Sequence, residues 1–478
     1  MGPYFKRPCH GKLNAKIFTQ LDLVVYFFRA NRRYNSIEAV HVDIMYPFWL
    51  RAFQKSLLCT SGLPLLELPP QSSTVAMSLS KEPALKTART TPPMSSKKED
   101  KKKAIIFGSD FTGLSSQSTT LNALKNHYGM KSAIQHKFAC DNNPQCKKVI
   151  HHNEATSPEV FFDDVTTRDA NSMPYVDFYQ YTAPCQGVSK AGKQNGNDPR
   201  NLLAAYGLRY VKSLKPICFI SEQVPMVGKY AELEKFILDE HRRNGYYVTT
   251  KVVNSQDYLF PQNRMRWYCV GIREDMLRTR SGGISIFPEC VPALSLSSII
   301  QPILGQKWLA HPPSGDRRAN VLTAYANCGC NPFTVPVVVD AGSSPQFSGF
   351  QVNATPTLTA SRSSQASGYW CSTKGGPLNL QEMKTLQGYS NLLGTNVPLE
   401  EAGISRTAAG HMVGNAQSAN FLLLLYPRVL FHAQLITLQE FRTIQQNLNS
   451  RFSSLGRTSS RTLLSQSDLS WSSSRLLQ

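Results

Sequence analysis

A cysteine in a polar loop is the first residue of this chain that could do chemistry. Cys185 follows Ala183-Pro184 and precedes Gln186-Gly187-Val188-Ser189-Lys190, and the apolar run Val176–Tyr179 lies just before it. A thiolate held by proline at a strand end is a candidate nucleophile. A buried structural cysteine is the alternative, but it fits such a polar, loop-like context poorly. The context therefore favours Cys185 as a nucleophile.

A carboxylate and two arginines could assist that nucleophile. Glu222 follows the apolar run Ile217–Ile220, which we predict to be the next strand of the sheet. In an extended segment, Gln262, Arg264 and Arg266 would point to one face. Two guanidinium groups on one face suit phosphate and base contacts, and a solvated edge strand is the alternative.

Small and acidic residues follow three other predicted strands. The segment Ser109–Ser116 is a turn of small residues, which lets a nucleotide-like ligand approach the backbone. Asp141 lies at the second strand tip, where an acidic residue commonly accepts hydrogen bonds from ribose hydroxyls. Asp163 and Asp164 follow the third strand, and a carboxylate there could receive an exocyclic amine. Taken singly, each could instead be an ordinary turn or a surface cap.

The elements that must position these residues alternate along the chain. Short apolar runs and helical patterns take turns from Ala104 onwards, which is typical of a parallel sheet flanked by helices. Because such a sheet binds ligands at the carboxyl ends of its strands, the candidate residues should meet at one edge. The predicted strands are Ala104–Gly108, Ile134–Ala139, Val160–Phe162, Val176–Tyr179, Ile217–Ile220, Tyr247–Val253 and Arg266–Val270.

Composition divides the chain into five segments. Residues 274–376 are rich in Pro, Gly, Ser and Asn and indicate a smaller, irregular domain, whereas helical patterns return from residue 377. The predicted order is a basic, low-complexity extension (1–103), the first part of a catalytic core (104–273), the small domain (274–376), the second part of the core (377–440) and a disordered Ser/Arg-rich tail (441–478).

Positive charge is concentrated at the N-terminus. The chain has 52 Lys and Arg against 32 Asp and Glu, a net charge of +20. Residues 1–103 hold 17 of the basic residues and 7 of the acidic ones. This balance suits a polyanionic partner such as nucleic acid, although a targeting or solubilising tail explains it equally well. The lysine cluster at 97–103 indicates the nucleus, and the early arginines leave an organelle open.

Cysteine spacing and hydropathy argue against two further classes. The eleven cysteines include no CxxC pair, so we expect no metal site and reduced thiols inside a cell. No run reaches the ~18 apolar residues of a membrane span. We therefore expect no membrane partner, and we expect a monomer.

Taken together, these residues resemble the C5-cytosine-specific DNA methyltransferase family. The resemblance runs from about Ala104 to Leu430, with a gap through 274–376. Three motifs carry it: Pro184-Cys185-Gln186 with Ser189 and Gly192, Gln262-x-Arg264-x-Arg266, and Gly414-Asn415-Ala416. The family's glycine pair is here Ser115-Ser116, and its Glu-Asn-Val is Glu222-Gln223-Val224.

The resemblance implies a fold and a reaction. The fold is α/β, a Rossmann-like class I methyltransferase domain with a mostly parallel sheet and a small irregular target-recognition domain. The implied reaction moves a methyl group from S-adenosylmethionine to carbon 5 of a cytosine flipped out of double-stranded DNA. Cys185 would add to carbon 6 of the base, Glu222 would act at ring nitrogen 3, and Arg264 would favour the thiolate.

The resemblance also implies two sets of binding residues. The cofactor would be held by Phe111, Thr112, Gly113, Asp141, Asp164 and Asn415. The DNA would be contacted by Gln186, Ser189, Lys190, Gln262 and Arg266, with Arg317, Arg318, Arg362 and Lys374 as plausible contacts from the small domain.

Two alternatives stay open at this stage. One branch of the family methylates transfer RNA with the same core, but its Cys-Phe-Thr signature is absent here. A catalytically silent, DNA-binding scaffold is the other alternative, and the departure at Ser115-Ser116 would favour it. The joint presence of Cys185, Glu222, Arg264 and Asn415 favours an enzyme.

Overall fold

A seven-stranded sheet forms the centre of the larger domain. The computed structural model of the chain describes residues 104–152, 157–169, 172–184, 202–225, 231–278, 282–300 and 314–460. The strands are β1 (Ile105–Asp110), β2 (Ile134–Cys140), β3 (Val160–Phe162), β4 (Phe178–Tyr181), β5 (Cys218–Gln223), β6 (Tyr246–Asn254) and β7 (Met265–Arg273). They lie in the order β3-β2-β1-β4-β5-β7-β6. All neighbours are parallel except β7, which runs antiparallel to β5 and β6.

The predicted α/β class and mostly parallel sheet are confirmed. Every predicted strand is present, with bounds displaced by three residues or fewer. The helices between the strands are α1 (Ser116–His127), α2 (Pro144–His152), α3 (Ala204–Leu214) and α4 (Ala231–Arg243).

Both faces of the sheet are buried, which is why its strands read as nearly continuous apolar runs. Successive residues of β4 point to opposite faces, with Phe178 in one apolar cluster and Tyr179 in another. The first cluster packs the sheet against α1 and two C-terminal helices, α9 (Ala419–His432) and α10 (Leu438–Ser460), and the second packs it against α3 and α4. Packing on both faces therefore fixes the positions of the strand ends, from which the loops of the candidate site begin.

The small domain is more regular than its composition predicted. It contains a four-stranded antiparallel sheet, in the order β11-β10-β8-β9, beside a helix α5 (Asp316–Asn327). The strands are β8 (Val337–Val339), β9 (Phe350–Val352), β10 (Trp370–Cys371) and β11 (Gly376–Pro377). Strands of two or three residues are too short for an alternating pattern to be visible in the sequence.

Three further short helices are present, the first within the small domain and the other two after it. These are α6 (Ala360–Ser363), α7 (Leu380–Leu386) and α8 (Arg406–Asn415). Helix α8 lies so close to α6 that a side chain at Gly414 would clash with the backbone of Thr359 and Ala360. None of the described helices is long and apolar enough to span a bilayer.

The predicted disorder of the tail is wrong for residues 441–460, which belong to α10. Phe441, Ile444, Leu448 and Phe452 recur at helical spacing and are buried in the core. Glu440 accepts hydrogen bonds from the backbone N–H groups of Lys131 and Ser132, both at 2.7 Å. Polar residues outnumber these apolar residues in the segment, so its overall composition did not indicate a helix that packs on the core. Residues 461–478 lie outside the described residues.

Removing part of that stripe should destabilise the whole protein. We expect Leu448→Ala to lower the free energy of unfolding by about 3 kcal/mol, because it opens a cavity against the sheet. The exposed neighbour Gln446 provides the matched control, and Gln446→Ala should be near neutral. Urea denaturation followed by circular dichroism measures both. Equal stability of the two variants would mean that α10 does not dock on the core.

Candidate active site

The candidate site lies at the carboxyl ends of β4 and β5, as the sequence predicted. Tyr181, the last residue of β4, is paired in register with Ser221, so Glu222 lies one residue further along β5. The chain then leaves β4 through Thr182, Ala183 and Pro184. Four predicted site residues come next, Cys185, Gln186, Ser189 and Lys190, and they lie outside the described residues.

Two hydrogen bonds fix the start of the segment that leads to Cys185. The side chain of Gln223 donates to the carbonyl oxygen of Ala183 at 2.6 Å. The hydroxyl of Thr182 donates to the carbonyl oxygen of Phe111 at 3.0 Å. The side chain of Gln223, which is one methylene longer than the asparagine of the family's motif, therefore binds the backbone two residues before Cys185. Sequence reasoning missed this anchoring role of Gln223.

Glu222 is paired with Arg266 across two neighbouring strands. The guanidinium Nε of Arg266 lies 3.0 Å from the carboxylate Oε1 of Glu222, and both side chains are largely buried. A charge-assisted hydrogen bond of this kind holds the carboxylate in one orientation. Tyr268 lies opposite Glu222 in the sheet. Burial, followed by the charge of Glu222, raises the pKa of Tyr268 well above its usual value, so its phenol keeps its proton.

Arg264 is buried and its guanidinium binds backbone carbonyls. It donates to Leu358 at 2.8 Å, to Gly414 at 3.3 Å and to Ala416 at 2.9 Å. These bonds join the segment before β7 to the end of α8 and to the segment of the small domain just before α6. Of the two predicted arginines, Arg266 is the one whose ion pair with Glu222 is described.

The structure contradicts the predicted DNA contact of Gln262. Its side chain is fully enclosed, at 0% exposure, and donates to the carbonyl oxygen of Leu386 at 3.0 Å and to Gln387 at 2.8 Å. Lys374 is also buried and pairs with Glu382 at 2.6 Å, so its suggested DNA contact is wrong for the same reason. Arg362 pairs with Asp340 at 3.4 Å.

Losing the guanidinium of Arg264 should destabilise the fold. We expect Arg264→Met to lower the free energy of unfolding by about 3 kcal/mol, because buried carbonyls lose their donors. Arg266→Met is the matched control, since it removes an arginine two residues away that makes a single ion pair at the site edge. Urea denaturation of both variants tests this, and equal losses would contradict the clamp role of Arg264.

A turn of unusual backbone conformation follows β1. Phe111, Gly113 and Ser115 all have positive φ, at 55°, 55° and 60°. The N–H of Gly113 donates to Asp141 at 2.7 Å, and the other oxygen of that carboxylate accepts the N–H of Asn143 at 2.9 Å. Burial raises the pKa of Asp141, although these two donors act in the opposite direction. The turn and the second strand tip are thus held together, as a cofactor site requires.

The two serines that replace the family's glycine pair are accommodated by hydrogen bonds. Ser115 adopts the left-handed conformation that a glycine would favour, at a cost of about 1 kcal/mol, and its hydroxyl contacts that of Ser118. The hydroxyl of Ser116 contacts that of Tyr389, which itself donates to the carbonyl oxygen of Gln417 at 3.0 Å. Hydrogen bonds thus hold both serine side chains in this turn.

The remaining predicted cofactor residues lie at different places around the site. Thr112 bonds to the end of β2 through its hydroxyl, which is 3.2 Å from the carbonyl oxygen of Cys140. Asp164 follows β3, and its carboxylate accepts the N–H of Thr166 at 2.7 Å. Asn415 is exposed at the end of α8, between Gly414 and Ala416, two of the three residues whose carbonyls Arg264 binds. Within the described residues, no three His, Cys, Asp or Glu are grouped as a metal site would need.

Part of this chain resembles known methyltransferases. The C-5 cytosine-specific DNA methylase family matches residues 111–311. The Type II methyltransferase M.XorII of Xanthomonas oryzae is 33% identical over 145 residues, which cover 30% of this chain and 32% of that protein. M.DdeI of Desulfomicrobium norvegicum is 35% identical over 125 residues, covering 24% and 30%. The match thus spans about a third of each relative's length.

Two solved structures also resemble this chain. The methyltransferase EhMeth of Entamoeba histolytica has a TM-score of 0.46 at 16% identity and covers 69% of this chain and 98% of its own. The Dnmt2 methyltransferase of S. pombe has a TM-score of 0.43 at 12% identity, covering 68% and 98%. At this level of similarity, neither indicates a substrate.

Proposed function

We propose that this chain belongs to the C-5 cytosine-specific DNA methylase family, whose model matches residues 111–311, and that it methylates carbon 5 of cytosine in double-stranded DNA with S-adenosylmethionine as the methyl donor. One observation carries the proposal. The Glu222–Arg266 pair lies at the same sheet edge as the segment that leads into Pro184-Cys185. The thiol of the residue that follows Pro184 in the sequence and the carboxylate of Glu222 are the two groups that activation of a cytosine ring needs.

The chemistry follows from the weak nucleophilicity of carbon 5. Addition of the Cys185 thiolate to carbon 6 makes the ring enamine-like, so that carbon 5 can attack an electrophilic methyl group. Glu222 holds a proton at ring nitrogen 3 and draws electrons away from carbon 6. Loss of the carbon 5 proton to a base then expels the thiolate and restores the aromatic ring.

Arg266 is the arginine we assign to the reacting base. Its ion pair fixes the carboxylate of Glu222, and the remaining guanidinium N–H groups can donate to an oxygen of the base. Arg264 also joins parts of the fold through its bonds to backbone carbonyls. Its effect on the Cys185 thiolate stays a prediction, because Cys185 lies outside the described residues.

The residues present fit the cofactor. Bound S-adenosylmethionine supplies the electrophilic methyl group. The turn Phe111–Gly113 can approach its methionine part, and the carboxylates of Asp141 and Asp164 lie at successive strand tips, where they can accept hydrogen bonds from ribose and adenine. Asn415, at the end of α8, would close the pocket.

Recognition of DNA is assigned to the loop after Pro184 and to the small domain. Gln186, Ser189 and Lys190 remain predicted DNA contacts. In the small domain, Arg318 is exposed and Arg317 half-buried on α5. A monomer in the nucleus is our working proposal, with an organelle as the alternative compartment.

Covalent trapping tests the proposed function. A DNA duplex containing 5-fluorocytosine should form an adduct with the protein that survives denaturation, because fluorine cannot leave carbon 5 as a proton does. The adduct should require S-adenosylmethionine, and mass spectrometry should map it to the peptide that contains Cys185. An unmodified duplex is the control.

Other outcomes would replace the proposal. An adduct on a matching transfer RNA but none on DNA would establish the RNA activity instead. No adduct on either nucleic acid, with cofactor binding intact by calorimetry, would leave the silent scaffold as the function.

A further inference from the structure

An ion pair is buried beneath the cofactor turn. Asp110 is the last residue of β1 and its side chain is fully enclosed, while that of Arg168 is 6% exposed. Both terminal nitrogens of Arg168 donate to the two carboxylate oxygens of Asp110. The hydroxyl of Tyr179, on β4, donates to the same carboxylate.

Arg168 is enclosed by aromatic rings as well. Its guanidinium lies 5.7 Å from the ring centre of Phe138 and 5.8 Å from that of Phe162, which are residues of β2 and β3. Burial disfavours the charge of Arg168, but the neighbouring carboxylate of Asp110 outweighs it and raises the pKa of the guanidinium. The guanidinium of Arg168 therefore keeps its proton.

The net contribution of such a buried ion pair to the stability of the fold is too small to explain its presence. The desolvation of two buried charges costs about as much as their attraction returns, and apolar residues of similar size often do as well. A bidentate pair differs from an apolar contact because it fixes a direction and a distance. The bidentate pair therefore fixes the distance between the two parts of the molecule that carry Asp110 and Arg168.

Those two parts both belong to the candidate cofactor site. Asp110 directly precedes the turn Phe111–Gly113. Arg168 ends the short segment 163–168 that follows β3 and carries Asp164, whose carboxylate is oriented by the N–H of Thr166. Phe162 anchors the start of that segment at the end of β3, and Arg168 anchors its end.

We propose that Arg168 is a positioning residue for cofactor binding, which clamps the Asp164 segment to the end of β1 through Asp110. This inference rests on the proposed function, because it takes Asp164 as the acceptor of the adenine amine. The clamp sets the distance between that acceptor and the turn, so one ligand can be bound by both.

The clamp can be removed without leaving a buried charge. Arg168→Met alone strands the carboxylate of Asp110 and should lower stability. The triple variant Asp110→Leu, Arg168→Met, Tyr179→Phe replaces the whole polar cluster by apolar side chains and should restore the melting temperature. The matched control is Lys147→Met, which breaks the exposed ion pair of 2.9 Å between Lys147 and Asp163 in the same segment.

Calorimetry with two ligands then separates positioning from stability. S-adenosylhomocysteine carries the exocyclic amine, and S-inosylhomocysteine has a carbonyl oxygen in its place. The wild-type protein and the Lys147→Met control should prefer the adenosyl compound. The triple variant should bind that compound about tenfold more weakly and lose the preference, because the acceptor is no longer preorganised. Hydrogen exchange of the amides at 163–168 should also be faster in the triple variant.

Two results would overturn the inference. One is a triple variant with wild-type affinity and preference, and the other is unchanged hydrogen exchange at 163–168. Failure of the proposed function looks different, since the wild-type protein itself would then bind neither compound.

Discussion

Replacing Cys185 with alanine is expected to reduce methyl transfer to DNA by about 10⁴-fold or more. Carbon 5 of cytosine has no other source of electron density in the proposed reaction, so binding alone cannot compensate for the lost thiolate. The bonds from Gln223 to Ala183 and from Thr182 to Phe111 involve neighbouring residues and are unaffected by the change. Cofactor affinity should therefore stay within about twofold of the wild type.

Single-turnover transfer of a tritiated methyl group measures this effect, and calorimetry measures cofactor affinity on the same sample. Cys290 is a free, exposed cysteine, and Cys290→Ala is the matched control for loss of a thiol. That control should keep wild-type activity. If Cys185→Ala retained activity within tenfold of the wild type, the nucleophile would have to be another group.

The larger domain could be predicted from the sequence because its signals are local. Each strand of the sheet is a short apolar run bounded by polar residues, and parallel order places the following loops at one edge. That reasoning located Glu222, Asp141 and Asp164 correctly at strand ends. The prediction that Gln262, Arg264 and Arg266 point to one face assumed that all three lie in one strand, but β7 begins at Met265, after the first two of them.

The roles within Gln262-x-Arg264-x-Arg266 could not be predicted, because they depend on distant parts of the chain. Arg264 meets carbonyls at positions 358, 414 and 416, and Gln262 meets 386 and 387. The sequence does not show whether an arginine binds backbone carbonyls, as Arg264 does, or a carboxylate, as Arg266 does. The Asp110–Arg168 pair was missed for a related reason, since Asp110 lies at a strand end and Arg168 is 58 residues away.

Substituting glutamine for Glu222 is expected to lower the rate of methyl transfer by about 10³-fold, which is in the range for loss of a general acid. The amide of glutamine has nearly the same size as the carboxylate. It cannot hold a proton at ring nitrogen 3, and it cannot form an ion pair with Arg266. Methyl transfer under single-turnover conditions should fall while cofactor affinity is kept. Glu232→Gln changes an exposed residue of α4 and is the matched control, which should leave the rate of methyl transfer unchanged.

A double variant shows whether Arg266 acts through this carboxylate. Their side chains are 3.0 Å apart, so the two substitutions should not be additive. If Arg266 only orients Glu222, the variant Glu222→Gln, Arg266→Met should be no slower than Glu222→Gln alone. A further tenfold loss in the double variant would mean that Arg266 also contacts the base directly. A Glu222→Gln protein with wild-type rate would remove Glu222 from the mechanism, because an amide cannot act as the general acid at ring nitrogen 3.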